Sequence, residues 1–173
     1  MKFKASMVQT RCPTPLGDLT LVASHSGLVG AWFDNQRHLP AALSTQLVGE
    51  STIWPEQASH PILQEAVKQL AAYFAGQKNN FDLPLDLSAG SEFQQAVWQA
   101  LLAIERGSTT SYGALSASIG RPSAVRAVGG AIGRNPLSII VPCHRVIGSS
   151  GSLTGYAGGL ERKLALLQLE GAR

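Results

Sequence analysis

The apolar residues of this chain change their spacing near residue 90, and that change limits the possible folds more than any single motif does. Before it, residues 5–8, Leu19–Ala23 and Leu28–Phe33 are short β-prone runs divided by Pro15-Leu16-Gly17-Asp18 and Ser26-Gly27. Runs of this length between turn residues read as strands of a meander or of hairpins. Residues 34–60 are polar and broken by proline, which reads as a long connection. Ile62, Leu63, Ala66, Val67, Leu70, Tyr73 and Phe74 then recur at helical spacing, with Gly76 just past the helix end. Residues 81–85 read as one more strand and 85–90 as a linker. Residues 1–86 are therefore expected to form an α/β unit.

From residue 91 the period is helical. Ser91-Glu92-Phe93-Gln94 has capping-box form, and Phe93, Val97, Ala100, Leu101 and Ile104 share one face of a helix closed by Gly107. A second helix over 112–119 stops at Gly120-Arg121-Pro122; a third starts near Ser123 with Val125, Val128 and Ile132 on its apolar side. Two helices joined by a short glycine-containing turn have the helix-turn-helix outline, which also occurs in unrelated helical folds. The third helix carries Ala124, Ala127, Gly129, Gly130, Ala131 and Gly133, and Arg126 is almost its only long side chain. Each glycine inside a helix costs about 1 kcal/mol relative to alanine, so a phosphate chain or a neighbouring helix is expected close to this backbone. Leu160, Leu164 and Leu167 form the stripe of a last helix ending at Glu170-Gly171. Residues 87–173 are expected to be a mainly α unit. A carboxylate at a helix C-terminus opposes the helix dipole, so Glu170 is either a frayed, solvated end or has a partner such as an imidazole.

Pro142-Cys143-His144-Arg145 stands between the apolar runs Ile139-Ile140-Val141 and Val146-Ile147. The thiolate is the reacting form of cysteine, and an adjacent imidazole can take its proton or stabilise its charge. Alone, the pair reads equally as a buried small hydrophobe beside a histidine. Cys12 precedes Pro13, has no adjacent base, and reads as structural. With two widely separated cysteines, no export signal and no apolar run of membrane length, neither a disulfide framework nor a zinc site nor a membrane span is expected, and a cytoplasmic location is. Net charge is +3, and seven of the eight cationic residues after position 86 are arginines, a composition that suits phosphate contact without requiring it.

Taken in order, Ser111-Tyr112-Gly113, Arg126-Ala127-Val128-Gly129-Gly130, Asn135-Pro136, Ile140 to Ile147 around the Pro-Cys-His-Arg core, Gly155-Tyr156-Ala157-Gly158-Gly159 and Glu170-Gly171 resemble the O6-alkylguanine-DNA alkyltransferases (methylated-DNA–protein-cysteine methyltransferases) of the bacterial Ogt type. The match is strong over 90–171 and holds in outline before that, at Thr14-Pro15-Leu16-Gly17 and Ala72-Tyr73-Phe74-Ala75-Gly76. The resemblance implies a ribonuclease H-like β-meander with a helix over 1–86 and a winged helix-turn-helix over 87–173. It implies that Cys143 takes the alkyl group irreversibly, once per molecule, from O6 of guanine, and O4-alkylthymine is a second candidate substrate. His144 would accept the thiol proton through a water, and Glu170 would orient the imidazole and favour its protonated form. Asn135 would brace the turn, and Tyr112 would donate to the guanine ring. The carbonyls of Cys143 and Val146 would accept from the guanine amino group. Tyr156, Ala157 and Gly158 would complete the base pocket, with the Ala157 amide towards O6; many relatives have serine there. A base inside a duplex must be flipped out for such chemistry. Arg126 would fill the gap from the minor groove, with Tyr112, Gly113, Arg121, Ser123 and Ser149 on groove or phosphate. The implied partner is double-stranded DNA bound by a monomer, with no cofactor and no metal.

Three other classes compete. A non-reactive alkyltransferase-like protein that only binds damaged DNA would have tryptophan or alanine in place of Cys143. A cysteine hydrolase needs an oxyanion hole and usually has its base distant in sequence. A plain helix-turn-helix regulator would carry base-reading side chains where glycine and alanine stand on the third helix.

Overall fold

A computed structural model of the chain describes residues 6–44 and 54–173. Three strands, β1 (Val8–Cys12), β2 (Leu19–Ala23) and β3 (Leu28–Phe33), pair antiparallel in the order β1-β2-β3. The expected second and third strands have these bounds; the first begins where it was expected to end, and residue 5 lies outside the described residues. Helix α1 (Ala41–Ser44) interrupts the expected connection, of which 45–53 lie outside the described residues.

Both faces of the sheet are covered. Leu19, Leu21, Ala31 and Phe33 meet Leu63, Ala66, Leu70 and Tyr73 of α2 (Pro61–Phe74), while Val22, Val29 and Trp32 meet Met7, Leu43 and Trp54. A register shift at Val22/Ala23 puts Leu28 back on the α2 side. Helix α2 starts at Pro61, and its C-cap Ala75 precedes Gly76 at φ +73, the left-handed geometry that glycine adopts without strain.

The expected strand at 81–85 is absent. Leu85 makes a single parallel bridge with Leu28; Leu28 N donates to Pro84 O at 2.7 Å and Asp86 N to Leu28 O at 2.9 Å. Pro84 has no N–H to extend a ladder.

The second half is helical: α3 (Glu92–Leu102), α4 (Tyr112–Ser118), α5 (Val125–Gly133) and α6 (Leu160–Leu169). The Ser91/Gln94 capping box is formed in both directions, and α3 ends at the C-cap Ala103, four residues before Gly107. Helices α3, α4 and α5 pack together; α4 and α5 make the helix-turn-helix, closed by Arg121 N on Ser116 O at 2.9 Å. Helix α5 starts two residues later than expected, with Ala124 at its N-cap and no side-chain cap. Beside α4 lies a two-stranded parallel sheet, β4 (Thr110–Ser111) with β5 (Val146–Ile147), the wing of a winged helix. The fold is thus a ribonuclease-like β-meander with its helix, followed by a mainly α winged helix-turn-helix.

Helix α6 is rotated from its expected setting. Leu160 and Leu164 are exposed, and the buried side is Lys163, Leu166 and Leu167. Lys163 takes the inner place because its Nζ finds three carbonyls there: Val146 at 2.5 Å, Thr154 at 2.7 Å and Gly155 at 3.3 Å. Val125 is likewise exposed rather than on the apolar side of α5.

The halves share one hydrophobic core. Ala31 of β3 accepts from Ser138 N and donates to Pro136 O, each at 2.9 Å. The meander's free edge thereby holds the segment that runs into Cys143.

Candidate active site and DNA-facing surface

Residues 134–147 place the sulfur. Ile139 is buried with φ +71, a conformation that β-branched residues strongly disfavour, and the turn around it needs bracing. Asn135 supplies the brace: Leu137 N donates to its Oδ1 at 3.0 Å, and its Nδ2 reaches Val141 O at 2.8 Å and Cys143 Sγ at 3.1 Å. Cys143, His144 and Arg145 follow as one 3-10 turn, all buried.

Glu170 is neither frayed nor solvated. Its Oε1 accepts from Tyr73 Oη at 2.7 Å, Arg145 Nη2 at 2.8 Å and His144 Nε2 at 3.0 Å, and its Oε2 from Arg145 Nε at 2.8 Å. Burial alone would raise this carboxyl, but the donors from His144, Arg145 and Tyr73 outweigh it and hold it well below the usual carboxylate range. A carboxylate only accepts, so His144 carries its proton on Nε2 and bares the Nδ1 lone pair. Nδ1 is buried and has no hydrogen-bond partner among the described residues.

Glu170 favours the protonated imidazole, as expected, but burial, the largest influence, together with the Arg145 and Lys163 charges leaves the pKa of His144 below its ordinary value. Burial also pushes the Cys143 thiol up, against the Asn135 amide and the Lys163 charge. The resting pair is a thiol beside a neutral base. Lys163 is itself lowered to about 8 by burial.

Of the residues expected to form a base pocket, Tyr112, Val146 and Tyr156 lie near Cys143. Tyr112 Oη donates to Thr154 O at 3.0 Å, so its proton is engaged in the free protein. The carbonyls of Cys143 and Val146 each have an internal donor already, the Val146 amide and Lys163 Nζ respectively, and each keeps a second lone pair. Burial raises Tyr156 well above its ordinary value. A Cβ on Gly158 would stand 2.8 Å from the Tyr156 ring and 3.2 Å from Phe33, so a side chain there would require the Tyr156 ring to shift. Ala157 O accepts from Arg37 N at 2.9 Å. Arg162 fastens the same loop: its Nη1 donates to Gly158 O at 2.9 Å, its Nε to Leu16 O at 2.8 Å, and its guanidinium lies 4.5 Å from the Phe33 centroid.

The other residues lie outside this cluster, on the winged-helix surface. Gly113 on α4, Arg121 and Ser123 between α4 and α5, Arg126 on α5 and Ser149 in the turn at 148–151 are all exposed. Arg126 makes no hydrogen bond or ion pair among the described residues. The small-residue face of α5 is not crowded by protein: a Cβ on Gly129 would meet the Tyr112 ring at 3.7 Å, an ordinary contact, and one on Gly133 would meet nothing within 4 Å.

Tyr73, Arg145, Lys163 and Arg162 were missed as site residues. Tyr73 and Lys163 sit at helix positions that read as core or solvated face, and Arg145 was visible only as part of the cysteine motif. Their roles depend on contacts between residues 17 to 146 positions apart.

Comparison with known proteins covers nearly the whole chain. The family model of the 6-O-methylguanine DNA methyltransferase ribonuclease-like domain matches residues 7–87, and that of its DNA binding domain matches 92–172. A methylated-DNA–protein-cysteine methyltransferase of Mycobacterium leprae is 49% identical over 158 residues, covering 91% of this chain and 88% of the relative. The crystal structure of the Mycobacterium tuberculosis O6-methylguanine methyltransferase superposes with TM-score 0.82 at 46% identity, covering 97% of this chain and 94% of that one. The Mycobacterium tuberculosis OGT in complex with DNA does so with TM-score 0.79 at 46% identity, covering 96% and 92%.

Proposed function

Because this chain belongs to the 6-O-methylguanine DNA methyltransferase family, we propose that Cys143 is the sulfur that receives the alkyl group and that His144, Glu170, Asn135 and Tyr112 serve the transfer. The protein is a DNA repair enzyme that moves the alkyl group of O6-alkylguanine in DNA onto a cysteine of its own. The observation that carries the assignment is the buried relay from Glu170 through His144 in the same turn as a sulfur held by Asn135.

In the proposed sequence the thiol proton passes to His144 Nδ1, one water spanning the gap, while Nε2–H stays on Glu170. The thiolate attacks the alkyl carbon; a sulfur–carbon bond forms, the carbon–O6 bond breaks, and its electron pair stays on guanine. Tyr112, released from Thr154 O by the entering base, donates to the ring as that charge grows. Asn135 keeps the sulfur in line. No step regenerates the thiol, so each molecule acts once. O4-alkylthymine presents the same bond to be broken and is a second candidate substrate.

We assign residues 87–173 as the catalytic and DNA-binding unit and 1–86 as its support. A monomer is enough for this geometry. No helix of the described residues is long and apolar enough to cross a membrane; the cytoplasm is where we place the protein, as two unpaired cysteines and a DNA substrate suit a reducing compartment with access to the chromosome.

Arg126 is assigned to the space left by the flipped base, on the minor-groove side, with Gly113, Arg121, Ser123 and Ser149 on the backbone. Support comes from its exposure, its lack of internal partners and the open glycine face beside it. The uncapped start of α5 leaves amides for a phosphate. Arg126→Ala is expected to slow repair of duplex DNA by about one to two orders of magnitude while changing reaction with free O6-alkylguanine base by less than about twofold. A residue that only met phosphate would instead weaken binding and reduce its salt slope by about one. Equal losses on both substrates would mean a structural role.

A further inference from the structure

Tyr73 belongs to α2, in the first half of the chain, yet its hydroxyl ends on the carboxylate that orients His144. Its ring is fully buried, edge-on to Phe74 with centroids 5.4 Å apart and 5.4 Å from Phe81. Phenylalanine would fill that space equally well. Among the described residues the hydroxyl has one hydrogen-bond partner, Glu170 Oε1 at 2.7 Å, the same oxygen that accepts from His144 Nε2. The contact is locked from outside by Arg106, which lies 5.3 Å over the Tyr73 ring and donates to Lys78 O and Leu169 O, both at 2.8 Å. One arginine thus ties the end of α2 to the residue before Glu170.

We propose that Tyr73 is a positioning residue for alkyl transfer, through which the first half of the chain holds Glu170 and, by way of it, the imidazole of His144. This rests on the reading of Cys143 and His144 given above and adds a role for the β-meander half beyond packing. Tyr73 touches neither sulfur nor substrate. It remains a donor at any working pH, because burial and the Glu170 charge push its phenol well up.

The consequence is electrostatic as well as geometric. Oε1 divides its negative charge between Tyr73, Arg145 and His144. Removing one donor leaves more of it for the imidazole and favours the protonated ring. The other groups acting on His144 are Arg145 from its own turn and Lys163 and Glu170 from α6 and its end; Arg106, from the loop after α3, stands behind Tyr73. None of these is changed in a Tyr73→Phe variant.

The test is the pH–rate profile for transfer from free O6-alkylguanine base, which needs no DNA contact. In Tyr73→Phe the plateau rate is expected to fall about three- to tenfold, and the acid limb to move to higher pH by about half a unit or more. In a Glu170→Gln background the same change should alter neither, because the residue it acts through is gone. A variant carrying site-specific 3,5-difluorotyrosine at position 73, a stronger donor, should move the limb to lower pH, and it decides the matter if the phenylalanine variant does not fold. A limb unmoved by the substitution that folds, or an equal effect in the Glu170→Gln background, overturns the proposal. If the parent itself placed no alkyl group on Cys143, the catalytic assignment would fail instead, and the two failures are told apart by the parent's product.

Discussion

Replacing Cys143 by alanine abolishes alkyl transfer and leaves binding to DNA intact. Cys143 is 5% exposed and sits below the winged-helix surface, so the residues assigned to DNA keep their places without its sulfur. Asn135 loses one of its acceptors but keeps Leu137 O and Val141 O. Carbon–sulfur bond formation has no reverse path to free thiol under repair conditions. The parent protein should therefore stop at one alkyl group per molecule, and the alanine variant at none. Cys12 cannot substitute: it is buried in the core, and its thiol is pushed up by burial and further by the Asp18 charge. An alanine variant that still consumed alkylguanine, or a parent that turned over repeatedly, would contradict the assignment. Electrophoretic mobility shift and alkyl-group counting read the two halves of this prediction separately.

The second large effect is at Glu170. This carboxylate receives four hydrogen bonds, two of them from the buried Arg145 guanidinium, whose Nη1 is committed to Ile104 O. Truncation to alanine strands that guanidinium without a counter-charge, and breaking a buried pair in this way costs about 3–5 kcal/mol. Glu170→Ala is expected to be the most destabilising single change in the site, read as a fall in urea midpoint with unchanged slope. Glu170→Gln keeps the shape and removes the charge. Glu170 is the group that raises the basicity of an imidazole otherwise lowered by burial, so the glutamine variant should transfer about 10- to 100-fold more slowly at neutral pH, and His144→Ala more slowly still. The pH dependence has a definite sign. The folded carboxyl lies below its unfolded value of about 4.3, so its contribution is complete above that pH and is lost as pH falls through it towards the folded value. The parent should show this acid loss of stability, and Glu170→Gln should lack it. Matching acid-denaturation curves would reduce Glu170 to a helix end.

The legible parts of the molecule were those written in local sequence. Strands β2 and β3, the Ser91 capping box and the helix pair around Gly120 follow from periodicity and turn chemistry, which neighbours in sequence determine. The first strand was displaced because residues 8–12 carry few apolar signals: Gln9, Thr10 and Arg11 pair with β2 through their backbone. The last helix was misread for a physical reason. A leucine stripe normally marks the buried side, but Lys163 finds three carbonyl acceptors and goes inside, leaving Leu160 and Leu164 to solvent. At the site, the Cys-His pair was visible because its members are adjacent. Glu170 was ambiguous from the residues alone, since its partners include Tyr73, 97 positions away. Glu170's pull towards the protonated imidazole was legible, but the burial that outweighs it, and the Arg145 and Lys163 charges that add to that burial, were not, because a sequence pattern shows the carboxylate and not its surroundings.

The central claim is that one particular sulfur becomes alkylated. Incubation of the protein with a duplex oligonucleotide carrying a single O6-methylguanine, followed by proteolysis and mass spectrometry, tests it directly. The expected result is one methyl group on the peptide containing Cys143, in amounts equal to the guanine restored, and an unmodified Cys12 peptide. Guanine restored with Cys143 unmodified, or methyl found on Cys12, would contradict the account.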